Sequence, residues 1–173
     1  MFIHEMRECE CWAALEQATF GRLACSHADQ PYIVPIYFAV QGRHLYGGFD
    51  GSYLYGFTTL GKKIEWMRSN PQVCVEIDER ERHDQWMSVI GFGLYEELPD
   101  LPEFEEPRRQ AHNLLKHRAM WWEPAYISSS HRDSPHSFTP IFYRIRLTEI
   151  TGHRATPDQN QVPPVSETRT VSQ

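Results

Sequence analysis

Thr58, Thr59, Lys62 and Lys63 lie close together in the stretch YGFTTLGKKIEWMRSNP, residues 55–71. Leu60, Ile64 and Met67 are spaced i, i+4, i+7, which predicts a short helix with its apolar side to the core, and Asn70-Pro71 marks its end. Thr58 or Thr59 is then the candidate N-cap. The first turn of such a helix exposes free N–H groups beside two hydroxyls and two ammonium groups, at the end of the helix that attracts anions. The chemistry this arrangement suits is phosphate binding. Lysine at a helix N-terminus opposes the macrodipole, so the pair costs some stability unless an anion compensates it. A solvated helix start would use the same residues, because lysine pairs are common on surfaces. The spacing by itself leaves both readings open.

Other site chemistries find less support. The four cysteines, Cys9, Cys11, Cys25 and Cys74, form no pair of CxxC motifs and read as reduced structural thiols. Cys9 and Cys11, two apart on an expected helix, point to different faces. The nine histidines include no HExxH or similar ligand spacing, so no metal is assigned. There is no GxSxG elbow and no dinucleotide fingerprint.

The elements that position these residues follow from periodicity. Glu5 to Ala18 is rich in helix formers and carries Trp12, Leu15 and Ala14 or Ala18 as one buried stripe. Gly21 to Ser26 and Tyr32 to Val40 read as a strand hairpin around the turn HADQP. Pro35 inside the second strand lacks an N–H, which places it at an edge, a bulge, or a point where the backbone serves something other than the sheet. The tripeptide LYG occurs at Leu45 to Gly47 and again at Leu54 to Gly56. Gln72 to Asp78 alternates Val73, Val75 and Ile77 against Cys74, Glu76 and Asp78, and Gln85 to Tyr95 is a further strand. Phe104 to Ala119 has helical spacing, and Ile141 to Ile150 alternates as a last strand. Between these two runs a long Ser-, Pro- and His-rich loop, in which Trp121, Trp122 and Tyr126 either cap the core or cover a site.

With 173 residues, one domain over 1–152 is expected, followed by a polar tail over 153–173 that buries too little apolar surface to order itself. A net charge of −6 and a pI near 5.8 argue against binding the phosphate backbone of nucleic acid. No apolar run is long enough to span a membrane, and the acidic start MFIHEMRECE is unlike a signal peptide, so a soluble, cytoplasmic protein is expected. Many short strands without regular strand and helix alternation indicate a mainly β fold, an antiparallel barrel with peripheral helices.

The order GRLACS, QPYIVPIYF, YGFTTLGKKIEWMRSNPQVCVEID, WMSVIGFG resembles the flavin-binding split-barrel family of the pyridoxamine 5′-phosphate oxidase superfamily, in its nitroimidazole-resistance-like branch. The resemblance runs from Trp12 to Gly152. It implies a six-stranded antiparallel split β-barrel and a homodimer with FMN in clefts between the subunits. On this pattern the strand of Val34, Pro35 and Ile36 lies along the isoalloxazine ring, which would account for a proline there. Thr58, Thr59, Lys62 and Lys63 match the positions that hold the ribityl phosphate. Trp86 and Ser88 match positions that reach the flavin from the second subunit, with ordinary strand packing as their other explanation. Arg22 is either part of this region or a surface residue. The C-terminal arginine and histidine with which pyridoxal-phosphate-forming oxidases grip their substrate have no counterpart, so that activity is not expected. The segment around GGFDGS is longer than the family's usual hairpin.

The resemblance therefore implies an FMN-dependent oxidoreductase acting on a small, planar molecule, since the redox chemistry belongs to the cofactor. A flavin carrier or redox sensor without turnover is the alternative from another class. A haem-binding split barrel using His131 or His136, and a deazaflavin in place of FMN, are the other cofactor options. The expected partner is a second copy of the chain, with neither nucleic acid nor a membrane.

Overall fold

A computed structural model describes residues 1–41, 52–116 and 140–158. The alternation of Val73, Val75 and Ile77, all buried, with half-buried or exposed Cys74, Glu76 and Asp78 is the pattern of a strand with one face on a core. That strand is one of eight among the described residues. In chain order the elements are β1 (Phe2–Glu5), α1 (Glu8–Gln17), β2 (Phe20–His27), β3 (Gln30–Tyr37), β4 (Ala39–Gln41), β5 (Tyr53–Thr58), α2 (Lys62–Ser69), β6 (Gln72–Arg82), β7 (Gln85–Glu97), a 3-10 turn (Pro102–Phe104), α3 (Glu105–Leu115) and β8 (Ile141–Thr156).

All strand pairs are antiparallel, and the sheet runs β3-β2-β6-β7-β8-β5-β4, with β1 paired to β8 off this path. Among the described residues the sheet is not closed, which corrects the expectation of a six-stranded split barrel: it has eight strands there, and β3 and β4 stand at its two ends. The physical reason lies in those ends. Pro31 and Pro35 remove two N–H donors from β3, and β4 has only three residues, so neither can offer a continuous ladder to the other. The single strand expected over Tyr32 to Val40 in fact breaks at Phe38: β3 pairs with β2, and β4 crosses to β5.

One core cluster joins Trp12 and Leu15 of α1, Leu23, Ile36, Val75, Ile77 and Val89 of the sheet, Ile64 and Met67 of α2, and Tyr143, Ile145 and Leu147 of β8. A second places Ala111 and Leu115 of α3 against Ala39, Tyr55 and Leu98. Helix α1 starts three residues later than the composition suggests because Phe2–Glu5 pairs with β8, and the Glu10 carboxylate accepts from the Arg7 backbone N–H at 3.0 Å to close its first turn. Strand β8 continues to Thr156, past the boundary expected after residue 152, because β1 and β7 both supply partners there. The first LYG copy, Trp121, Trp122, Tyr126, His131, His136 and the chain after residue 158 lie outside the described residues.

Gly56 in β5 faces the Tyr143 ring so closely that a Cβ would overlap it. Overpacking of this kind costs about 1–3 kcal/mol. Gly56→Ala should therefore lower the thermal midpoint of the protein measurably, while Gly61→Ala, where a Cβ meets open space, should change it little.

Candidate functional site

Helix α2 is held by two side chains, Ile64 and Met67, both fully buried. Burying each contributes about 1.5–3 kcal/mol, which fixes how the start of the helix is presented to β2 and β3. The helix begins after Gly61, whose carbonyl accepts from the N–H groups of Ile64 at 2.9 Å and Glu65 at 3.2 Å. Neither threonine is therefore the N-cap. Thr58 ends β5, buried, with its hydroxyl donating weakly to the Thr59 carbonyl at 3.4 Å. Because the helix starts late, Leu60 falls in the preceding loop, 60% exposed, instead of on the core face. Lys62 and Lys63 become the first two helical residues, whose N–H groups have no acceptor within the helix.

The two lysines have unlike surroundings. The Lys62 ammonium lies 4.8 Å from the ring centroid of Tyr32 on β3 and 4.4 Å from that of Trp66, one turn along α2. Trp66 in turn meets the Tyr32 ring edge-on at 5.4 Å and the His27 ring at 5.7 Å, and His27 Nδ1 is 2.8 Å from the Ser69 hydroxyl. Lys63 is half-buried. Desolvation pushes its pKa below the ordinary 10.5, opposed only by the neighbouring Cys25 thiol. Among the described residues no carboxylate stands within ion-pair distance of it. A partly desolvated ammonium with no carboxylate partner among the described residues, in the first turn of a helix whose N–H groups are free, is an arrangement that an anionic oxygen would complete. The donor set fits a phosphate.

Val34, Pro35 and Ile36 pair with Leu23, Arg22 and Gly21 of β2. Tyr32, Val34 and Ile36 share the core-side face of β3, so the contact of Lys62 with Tyr32 joins this strand to α2. Pro35 faces the other way, exposed, on an edge strand where its missing N–H is tolerated. Trp86 and Ser88 are not brought to the lysines within one chain. Ser88 lies on the opposite face of the sheet from Cys25, with its hydroxyl 3.5 Å from the Glu76 carboxylate. Trp86 lines an open groove of about 300 Å³ at the end of the β6-β7 hairpin, with Glu79, Glu81 and Arg154. Arg22 is engaged by two carboxylates on that same outer face, Glu76 at 2.9 Å and Asp78.

Sequence reasoning did not single out Tyr32 and Trp66. The signals were present: Tyr32 is two residues before Val34 on a strand, and Trp66 is four after Lys62 on a helix, so each shares a face with a residue already selected.

The sequence profile described as pyridoxamine 5′-phosphate oxidase matches residues 7–154. The chain belongs to the pyridoxamine 5′-phosphate oxidase-like, FMN-binding split-barrel family. An uncharacterized protein of Rhizobium meliloti is 37% identical over 155 residues, covering 90% of this chain and 97% of its own length. The crystal structure of a FAD-binding protein from Mesorhizobium loti is similar at 37% identity and a TM-score of 0.69, covering 90% of this chain and all of that one. A FAD-binding protein from Mycobacterium smegmatis shares the fold at 22% identity, with a TM-score of 0.57 and coverage of 88% and 97%. At the level of this superfamily, a flavin-type cofactor and an oxidoreductase-like role are consistent with the match.

The state of Lys63 can be read from stability. Its folded pKa is below the unfolded value, so between the two the unfolded chain binds more protons, and the stability of the ligand-free protein attributable to this group rises with pH. Replacing Lys63 by Met should raise the melting temperature most at neutral pH, with the gap narrowing as pH climbs towards 10.5. A gap independent of pH would show that Lys63 is solvated.

Proposed function

We propose that this member of the family is a homodimeric flavoprotein oxidoreductase that holds the flavin phosphate at the start of α2. The observation that carries this reading is Lys63, half-buried with no carboxylate partner among the described residues, in the first helical turn with its free N–H groups. Lys63 and Lys62 supply charge, Thr58 and Thr59 supply hydroxyl donors, and the free margin of edge strand β3, the strand of Val34, Pro35 and Ile36, supplies a place for the ring system to lie. Pro35 contributes by leaving that edge strand without a full set of donors. The description of the Mesorhizobium loti relative as FAD-binding supports a flavin in this chain too.

When bound, the flavin supplies hydride or electron transfer to and from a small molecule. The chain's own residues do the rest: the lysines neutralise the phosphate, α2 fixes its position, and β3 orients the ring. No nucleophile or paired carboxylates are needed for that work. A carrier or sensor would use the same binding residues and would differ in lacking turnover.

A second copy of the chain is the partner this reading requires. Ile33, Ala24, Cys74 and Phe92 form one row across β3, β2, β6 and β7 on the face away from the core. Ile33 is 63% and Phe92 40% exposed. Self-association through this face would cover the row and would bring Ser88, on the same face, to the neighbouring subunit.

The purified protein should be yellow, with a flavin absorption spectrum, and heat should release a molecule with the mass of a flavin nucleotide. Lys63→Ala should weaken flavin binding by about 1.5–3 kcal/mol, the scale of a hydrogen bond to a charged group, with the fold intact. A colourless protein that takes up no added flavin would refute the reading, and a haem spectrum would replace it. Light scattering should give twice the 20.3 kDa chain mass, and Phe92→Glu should give the monomer. A wild-type monomer would remove Trp86 and Ser88 from the site.

A further inference from the structure

Strand β8 continues to Thr156, and the chain leaving it forms one side of the groove of about 300 Å³ at the end of the β6-β7 hairpin. Pro157 lines that groove with Ala155 and with Trp86 and Met87 of β7, so its wall is apolar where the chain departs. Arg154 lines it too. The Arg154 guanidinium is partly buried and has the Met87 sulfur as a neighbour at 3.9 Å, and no carboxylate among the described residues stands within ion-pair distance of it. Glu10 is near enough to feel its charge but is already paired with Arg7 at 3.0 Å, and Glu79 and Glu81, which also line the groove, do not reach it. A half-exposed indole, a thioether and an unpaired guanidinium in one groove suit an apolar segment that carries an acid. Fifteen residues follow Asp158, and they contain one apolar run, Val162, Pro163, Pro164 and Val165, with Glu167 two positions beyond it.

We propose that residues 162–165 of the same chain seat in this groove against Trp86 and Met87, with the carboxylate of Glu167 on Arg154. The proposal does not depend on the flavin reading. Chain length permits it: residues 158–161 span at most about 13 Å, enough to turn back over a groove whose rim they leave, and Asp158 and Asn160 are turn formers. The run also has the chemistry for the wall. Its two prolines each fix one backbone angle and dispose the segment to an extended polyproline shape, so seating it costs little further entropy, and segments of this kind dock on surfaces lined by aromatic rings. Because groove and segment belong to one chain, the effective concentration of one at the other is high and a weak contact suffices. Glu167 follows Val165 closely enough to meet the guanidinium in the groove wall with a charge-assisted hydrogen bond. The apolar residues after Thr156 are too few to build a core of their own, but they are enough to cover one groove.

The test uses the full chain with the photo-reactive residue p-benzoylphenylalanine in place of Val165. Irradiation should join position 165 to Met87 or Trp86, in a product that runs at the single-chain mass on a denaturing gel. Val162→Asp, which sets a charge against the apolar wall, should lower the yield about tenfold. Arg154→Gln and Glu167→Gln should each lower it by a smaller factor, and the two together no further, as expected of partners. In the chain without the photo-reactive residue, Val162→Asp should make Trp86 easier to quench with acrylamide, the Trp86 signal being the difference between the spectra with Trp86 and with Trp86→Phe. Products at Met87 or Trp86 found only at twice the chain mass would overturn the assignment to the same chain and put a second copy's segment in the groove. Products elsewhere, or none, would overturn the proposal, as would quenching of Trp86 that Val162→Asp leaves unchanged.

Discussion

The arrangement depends on the burial of Ile64 and Met67 beneath α2. Both side chains are completely enclosed, and an eight-residue helix with two such anchors has little freedom to roll or slide. Its first residues are thereby committed to one direction. Lys63 is carried into a half-buried space beside Cys25, and Lys62 onto the rings of Tyr32 and Trp66. Neither placement is what a lysine prefers at the positive end of a helix dipole. Core packing imposes it, and the electrostatic cost is left for a ligand to offset.

The open sheet sets the other side of the site. Because β3 is an edge strand carrying two prolines, its outer margin is not consumed by a further strand. A ring system can lie along such a margin without competing with a complete ladder of hydrogen bonds. The break at Phe38 sends β4 to the far end of the sheet, so β3 stays short and aligned with α2. The same openness leaves an apolar row on the outer face, from Ile33 to Phe92, that a lone chain exposes to water. On the proposed reading, cofactor binding and self-association would both follow from one choice of strand order.

Much of this was legible in the residues, and the exceptions have identifiable causes. Strict alternation made β6 and β8 readable, because a strand with one buried face must repeat every two residues. The helix over Lys62–Ser69 was readable from Ile64 and Met67. Its start was not, since hydroxyls at Thr58 and Thr59 suggested a cap, whereas β5 retains Thr58 as its last residue and Gly61 takes the capping position with its carbonyl. Leu60 looked like a core residue on helical spacing and lies in a loop for the same reason. Strand β1 was missed and β4 was read as the end of β3, because three or four residues carry no usable period and are defined by their distant partners in β8 and β5. Closure of the sheet was expected both from the many short strands and from the resemblance, and strand count and edge chemistry overrule it here. Tyr32 and Trp66 became visible as a pair only once strand and helix were placed side by side.

The central claim is that the uncompensated ammonium of Lys63 receives a flavin phosphate. A crystal structure of the protein with its flavin bound tests this most directly. The account predicts a phosphate oxygen within hydrogen-bond distance of Lys63 Nζ and of the Thr58 hydroxyl, in front of the first turn of α2. A flavin whose phosphate lies elsewhere, with Lys63 still facing only Cys25, would contradict it.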